Sequence, residues 1–284
     1  MASNRRDFLT GIGGFAVASA IGGCSLGKCT ACNAKPLFGL QLYSIHKIFW
    51  KEPERILAEL KANGYDGVEF YNYNGLSAKA LSKMCADAGI KPLGTHLNGN
   101  VDLVGDKLKA TLDYAAEAGF ESLVTPHAKR DTADEYKKFG NAMGLAAETA
   151  ASFGIKVGVH TTYHHFTTQY NGITAWDMIY SEASPKLYQQ VDTANTFHTG
   201  YDVVGLLKKY EGRHFSVHLK ENTPTVDGIL GVPPTDGGKC VPWNEVITFL
   251  KQDESLKWWI IEAEGKPDST TPAVECLKKL KSWI

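Results

Sequence analysis

The chain has 284 residues, with 30 Lys and Arg against 31 Asp and Glu, and it is 43% hydrophobic and 21% charged. A formal net charge of -1 supplies none of the positive field that a nucleic acid or an anionic membrane surface would need, and the composition is that of an ordinary globular protein. Past the first residues no apolar stretch is long enough to cross a bilayer.

The chain opens Asn4-Arg5-Arg6-Asp7-Phe8-Leu9-Thr10, followed by a weakly apolar run from Gly11 to Gly23. A positive segment, a short Gly- and Ala-rich apolar segment and then small residues is the order of an export signal. The paired arginines followed by Phe-Leu resemble the twin-arginine signal, which passes folded proteins across the bacterial inner membrane. Ile21-Gly22-Gly23-Cys24 resembles a lipobox, so Cys24 is a candidate for lipidation; the alternative is a plain cleaved signal. Residues 1–35 are accordingly expected to be signal and linker, and residues 36–284 the folded domain. The mature protein is then periplasmic, or held at a membrane only through a lipid on Cys24. Cys24, Cys29 and Cys32 have the spacing of part of an iron–sulfur run, but no fourth cysteine sits at matching spacing, and Cys29 with Cys32 suits a small disulfide instead. Cys85, Cys240 and Cys276 are scattered and read as structural.

From residue 37 onward short β-rich runs alternate with helical stretches. Strands are predicted at Phe38–Tyr43, Gly67–Tyr71, Lys91–His96, Ser122–Pro126, Ile155–His160, Leu187–Asp192, His214–Leu219 and Trp258–Glu262. Between them amphipathic helices are predicted at Pro53–Asn63, Leu76–Asp87, Val101–Ala118, Thr132–Phe153, Ala175–Glu182, Val203–Tyr210, Trp243–Lys251 and Pro272–Ser282. Gly64, Gly89, Gly119 and Gly154 stand just past helix ends, where a left-handed residue closes the last turn. Eight such units with short loops point to a closed (β/α)₈ barrel, and the phosphate turn that an open doubly wound sheet carries after its first strand is replaced by Ser44-Ile45-His46.

A barrel of this kind carries its site at the C-terminal ends of its strands. Those ends present Gln41 and Tyr43, Glu69, His96, His127, His160, Asp192, His218 with Lys220, and Glu262 with Glu264. Imidazoles and carboxylates converging on one mouth make a divalent-metal site, with His160, Asp192, His218 and Glu262 as ligands. The mixed donor set suits Mn²⁺, Zn²⁺, Co²⁺ or Fe²⁺ better than Ca²⁺. Such an ion would polarise a sugar carbonyl and stabilise an enediolate. Glu262, Glu69, His96 and Lys220 are the candidate catalytic groups, with Glu69 and His96 across the mouth for acid–base work. Gln41, Tyr43, His127 and Glu264 are candidate substrate contacts, and Tyr43, Trp50, Tyr71 and Tyr73 candidate platforms for sugar faces. The partner expected is a small sugar; a homodimer is compatible with the sequence, and nucleic acid is excluded.

The stretches Gly39-Leu40-Gln41-Leu42-Tyr43-Ser44, Gly64-Tyr65-Asp66-Gly67-Val68-Glu69, Val191-Asp192-Thr193-Ala194-Asn195, Val217-His218-Leu219-Lys220-Glu221 and Ile260-Ile261-Glu262-Ala263-Glu264 resemble the sugar phosphate isomerase/epimerase family of xylose-isomerase-like barrels. That resemblance implies a metal held by a Glu on strand five, an Asp on six, a His on seven and a Glu on eight. Asp192, His218 and Glu262 match, whereas strand five ends in His160. Epimerases of this group work with the strand-five and strand-eight glutamates on opposite faces of a carbon, so the substitution favours one-base chemistry. Aldose–ketose isomerisation, or elimination from a 3-keto-glycoside by a lyase or hydrolase, then becomes the expectation, with a non-catalytic carbohydrate-binding barrel as the rival. Phosphorylated sugars are scarce outside the cytoplasm, which favours an unphosphorylated substrate. An apurinic endonuclease of the same fold would need a histidine at Asn195 and a basic face, and has neither here.

Overall fold

A computed structural model describes residues 35–126, 128–221, 228–235 and 237–284. The proposed signal with Cys24, Cys29 and Cys32, and also His127, lie outside the described residues. Eight parallel strands form a closed barrel: β1 (Leu37–Gln41), β2 (Gly67–Phe70), β3 (Lys91–His96), β4 (Ser122–Thr125), β5 (Lys156–His160), β6 (Tyr188–Asp192), β7 (His214–Leu219) and β8 (Trp258–Ile261). Each pairs with its neighbours in sequence, and β1 closes on β8 through Leu37 opposite Trp258 and Leu40 opposite Ile261.

The period-two alternation of the strands divides the interior in two. Outward residues such as Phe38, Leu40, Val68, Val157, Val191, Val217, Trp259 and Ile261 join the helices in one large apolar core. Inside the barrel, Leu93, Trp258 and Ile260 make a separate plug, with Leu37 and Phe215 packed against it. Glycines on the inner face give that plug room: a Cβ at Gly67 would lie 2.8 Å from the Trp258 ring, and one at Gly158 2.5 Å from the Tyr188 ring. With the lower barrel filled by rings, the polar residues of the same inward columns fall in the layer above it.

Local chemistry sets the helix boundaries. Pro53 opens Pro53–Ala62, and Thr132 with Glu135 forms a complete capping box before Ala133–Ala150. Gly64, Gly89, Gly119 and Gly154 all take positive φ, as expected of helix-ending glycines.

Three expectations need correction. The first strand stops at Gln41, whose side-chain oxygen accepts from the Tyr43 N–H and turns the chain into a 3₁₀ segment, Leu42–Ile45. The helix read as Val101–Ala118 is two pieces, Gly99–Asp102 and Lys107–Ala118, with the left-handed Gly105 between them. Three short elements were invisible to periodicity: the helices His164–Thr167 and Thr193–Phe197, and an antiparallel ribbon pairing Gln169–Tyr170 with Ile173–Thr174. No helix among the described residues is long and apolar enough to cross a membrane.

Candidate metal centre

Strands β5 to β8 each deliver one ligand-type side chain to the same point. Donor atoms of His160, Asp192, His218 and Glu262 all lie within 4.8 Å of one another, and all four residues are buried. His160 Nε2 stands 3.2 Å from His218 Nδ1 and 3.6 Å from Asp192 Oδ2, and His218 Nδ1 is 2.6 Å from Glu262 Oε2. Donors bound to one transition ion at 2.0–2.2 Å sit about 3.0–3.6 Å apart, so the spacing needs only small adjustment. Asp192 divides its labour: Oδ1 accepts from the Asn195 N–H and caps Thr193–Phe197, while Oδ2 is buried without a hydrogen-bond donor. A buried carboxylate oxygen lacking a donor is costly unless a cation satisfies it. The donor set fits a divalent ion.

Beneath these four residues lies a second layer. Glu69 is fully buried and accepts only. Its Oε2 receives Gln41 Nε2 at 2.7 Å and His218 Nε2 at 2.7 Å, and its Oε1 receives Gln190 Nε2 at 2.9 Å. Gln190 also donates to Ser216 Oγ at 2.8 Å and accepts from His96 Nε2 at 2.9 Å. His218 thus spends Nε2 on a buried carboxylate and points Nδ1 at the ligand cluster, the carboxylate–histidine arrangement that orients metal-binding imidazoles.

The electrostatics follow from this packing. Burial pushes His160 down to about 4, against the pull of Asp192, so it is neutral, and a neutral imidazole carries one nitrogen lone pair to offer. Burial opposes charge on His218 too, but the field of Glu69 and the hydrogen bonds to Glu262 and Glu69 prevail and lift it to about 10. Lys220 Nζ sits 3.1 Å from Glu262 Oε1 and 2.6 Å from Glu264 Oε2. That cation holds Glu262 well below the usual carboxylate range in spite of burial. Glu264, by contrast, is pushed up to about 7 by burial and by the negative charge of Glu262.

Two cavities of about 560 and 490 Å³ share Tyr71, His96 and Leu97 in their linings. His96 is the hinge between cavity and cluster, its ring centroid 5.1 Å from that of His160 and 5.4 Å from that of His218.

The sequence profile of the "Xylose isomerase-like TIM barrel" matches residues 57–282. The chain belongs to this family. Among curated relatives, the inosose dehydratase of Clostridium botulinum is 25% identical over 159 residues, 51% of this chain and 52% of that protein. The chain therefore spans about half the length of the curated relatives it matches. A sugar phosphate isomerase/epimerase from Parabacteroides distasonis superposes with a TM-score of 0.73 at 18% identity, covering 89% of this chain and 98% of that one. A D-allulose 3-epimerase from Methylomonas sp., solved in complex with D-allulose, gives 0.66 at 15% identity over 88% and 97%. At these identities the structural likeness speaks for the fold alone.

Within this xylose isomerase-like frame the residues picked from the sequence separate into three places. His160, Asp192, His218 and Glu262 converge with Lys220 and Glu264. Gln41 and Glu69 are fully buried and joined to each other and to His218 by hydrogen bonds, so their polar atoms are engaged within the protein. Tyr43 is 45% exposed, stacked on His46 at 4.5 Å and edge-on to Tyr71 at 5.5 Å. Trp50 and Tyr73 are not free platforms: Trp50 packs on Phe49 and Phe70, and Tyr73 stacks on Tyr114 at 4.4 Å. Gln190 was missed although it lies two residues before Asp192, a spacing that puts both on one strand face. Thr161 was missed as well; its hydroxyl accepts from the Asp192 N–H at 2.7 Å.

Proposed function

We propose that this barrel is a divalent-metal-dependent enzyme of the sugar isomerase and epimerase type, acting on an unphosphorylated sugar through an enediolate-type intermediate. The observation that carries the reading is the convergence of His160, Asp192, His218 and Glu262, with Asp192 Oδ2 buried and undonated. When bound there, Mn²⁺, Zn²⁺, Co²⁺ or Fe²⁺ would supply Lewis-acid polarisation of a carbonyl. The protein's own groups supply the proton chemistry. Lys220 bridges Glu262 and Glu264 and sets positive charge beside the point where oxyanion character develops. Glu264, held near 7, can hold or release a proton at neutral pH from the mouth side of that bridge. Facing them across the cluster is the neutral His160, not a second carboxylate. The fifth strand thus ends in a neutral imidazole where a second glutamate would be needed, which suits proton transfer on a single face better than inversion between two carboxylates.

Elimination is the second reading, favoured by the same one-sidedness and by the dehydratase relatives. The arginine pair and Cys24 at the N-terminus support an exported protein, periplasmic or lipid-anchored, which agrees with an unphosphorylated substrate. The test is a panel of free aldoses, ketoses and 3-keto-glucosides with added Mn²⁺, run on the wild type and on Glu262→Gln. The substitution is expected to abolish turnover of whichever substrate reacts; full activity in Glu262→Gln overturns the site. An isomer that has taken up solvent deuterium marks isomerisation or epimerisation, a product lighter by one water marks dehydration, and binding without turnover marks a carbohydrate-binding barrel.

A further inference from the structure

The smaller cavity beside His96 is lined by two consecutive cations, Lys129 and Arg130, together with Asn98 and Asn100. Arg130 is not a loose surface side chain. Its guanidinium lies 4.4 Å from the centroid of the Phe139 ring, one NH group donates to the Lys129 carbonyl at 2.6 Å, and another donates to Asn100 Oδ1. Stacking and two fixed hydrogen bonds leave three of its five N–H donors uncommitted and hold the fork in one orientation. The acid whose field reaches it, Glu135, is engaged elsewhere: its Oε2 accepts from the N–H groups of Asp131 and Thr132, each at 3.1 Å, in the helix-opening capping box. Among the described residues neither Arg130 nor Lys129 has a carboxylate partner. Partial burial disfavours the charge on Arg130, and it is nonetheless kept there.

A pre-oriented, partly desolvated arginine with no carboxylate at ion-pair distance among the described residues, lining a cavity that reaches His96, whose ring lies 5.1 Å from that of His160, has the donors and the charge to bind an anion. We infer that the substrate is anionic: Arg130 and Lys129 receive a carboxylate of a sugar acid or keto-sugar acid whose carbonyl end lies at the His160–Asp192–His218–Glu262 cluster. The inference rests on the reading of that cluster as a sugar site, and it adds the substrate's charge. A phosphoryl group offers the same oxygens, and the two sources are separated by the choice of ligands.

Calorimetric binding to the Mn²⁺-loaded protein is measured with matched sets of neutral sugar, uronate and sugar phosphate in the glucose, galactose and mannose series, at low and high salt. The uronate of at least one series is expected to bind at least tenfold more tightly than its neutral counterpart and than its phosphate, with the preference shrinking as salt rises. Arg130→Gln should weaken that uronate roughly ten- to a hundredfold, the range for one hydrogen bond to a charged group, while leaving the neutral sugar within twofold. Arg130→Lys should restore part of the preference. Tightest binding of the phosphate, lost in Arg130→Gln, reassigns the anion to a phosphoryl group and overturns the carboxylate. Equal binding of neutral and anionic sugars by the wild type, or an anion preference that survives Arg130→Gln, overturns the site altogether. The cluster is tested separately by Asp192→Asn. If that change leaves binding intact while Arg130→Gln removes the anion preference, the metal reading fails and the anion site stands.

Discussion

Glu69 shows how much of this site is decided out of reach of any ligand. Every group around it donates: Gln41 and His218 to one oxygen, Gln190 to the other. A glutamine at this position would turn an NH₂ towards at least one of those donors, leaving a donor facing a donor in a buried place. Glu69→Gln is therefore expected to cost about 1–3 kcal/mol of stability, the range for an unsatisfied buried polar group. Because His218 would lose the anchor that fixes its Nδ1 on the cluster, Mn²⁺ affinity should fall about 10–100-fold, the usual effect of losing such an outer partner. Titration with Mn²⁺ checks this, and unchanged affinity in a folded variant would sink the positioning role. The residue type and strand-end place of Glu69 were legible in the sequence; its depth was not. Strand-end residues divide into mouth and supporting layer by fractions of a turn in barrel stagger, and one sequence carries no record of stagger. His160, Asp192, His218, Lys220 and Glu262 were legible because each sits at the C-terminal end of its strand, where the next atoms belong to a loop.

At the scale of elements, the tightest joint lies outside the barrel. The helix Ala133–Ala150 crosses Ala175–Tyr180 at Gly140, where a Cβ would lie 1.8 Å from the Ile179 carbonyl oxygen and 2.7 Å from its carbon. Those atoms are backbone, so the helices must part to admit even one methyl group. Gly140→Ala is expected to destabilise by about 1–3 kcal/mol or somewhat more, despite the better helix propensity of alanine. For a domain of this size that lowers Tm by roughly 2–4 °C per kcal/mol, measurable in a thermal melt. An unchanged or raised Tm would mean that the joint is looser than described. Periodicity found this helix and the eight strands because each buries an apolar face of sufficient length. It missed Thr193–Phe197 because that segment is made by the Asp192 cap rather than by an apolar stripe, and it overran Gly105 because the flanking Val101, Val104 and Leu108 keep a helical spacing across the break.

For the molecule as a whole, the consequence is that the upper barrel holds an imbalance of charge which folding alone does not discharge. Glu69, Asp192 and Glu262 share a volume in which His218 and Lys220 supply the neighbouring positive charge, with Glu264 titrating beside them near 7. Lys220 stands 4.0 Å from Asp192 Oδ2, too far for a hydrogen bond, so that oxygen stays undonated. A cation that binds the folded barrel and not the unfolded chain relieves this strain and must raise stability by mass action. At a concentration one hundred times Kd the gain is about 2.7 kcal/mol. At 2–4 °C per kcal/mol this corresponds to a rise in Tm of roughly 5–11 °C over the chelator-treated protein. Mn²⁺, Zn²⁺, Co²⁺ and Fe²⁺ should each produce a shift that saturates with concentration, and Ca²⁺ a smaller one, because two of the donors are imidazoles. Asp192→Asn keeps the helix cap through its amide oxygen but forfeits the charge at Oδ2, so it should fold and lose most of the shift. Arg130→Gln, on the cavity wall, should keep it. A wild type whose melting point is indifferent to both chelator and ion would remove the metal from this site whatever its activity proved to be.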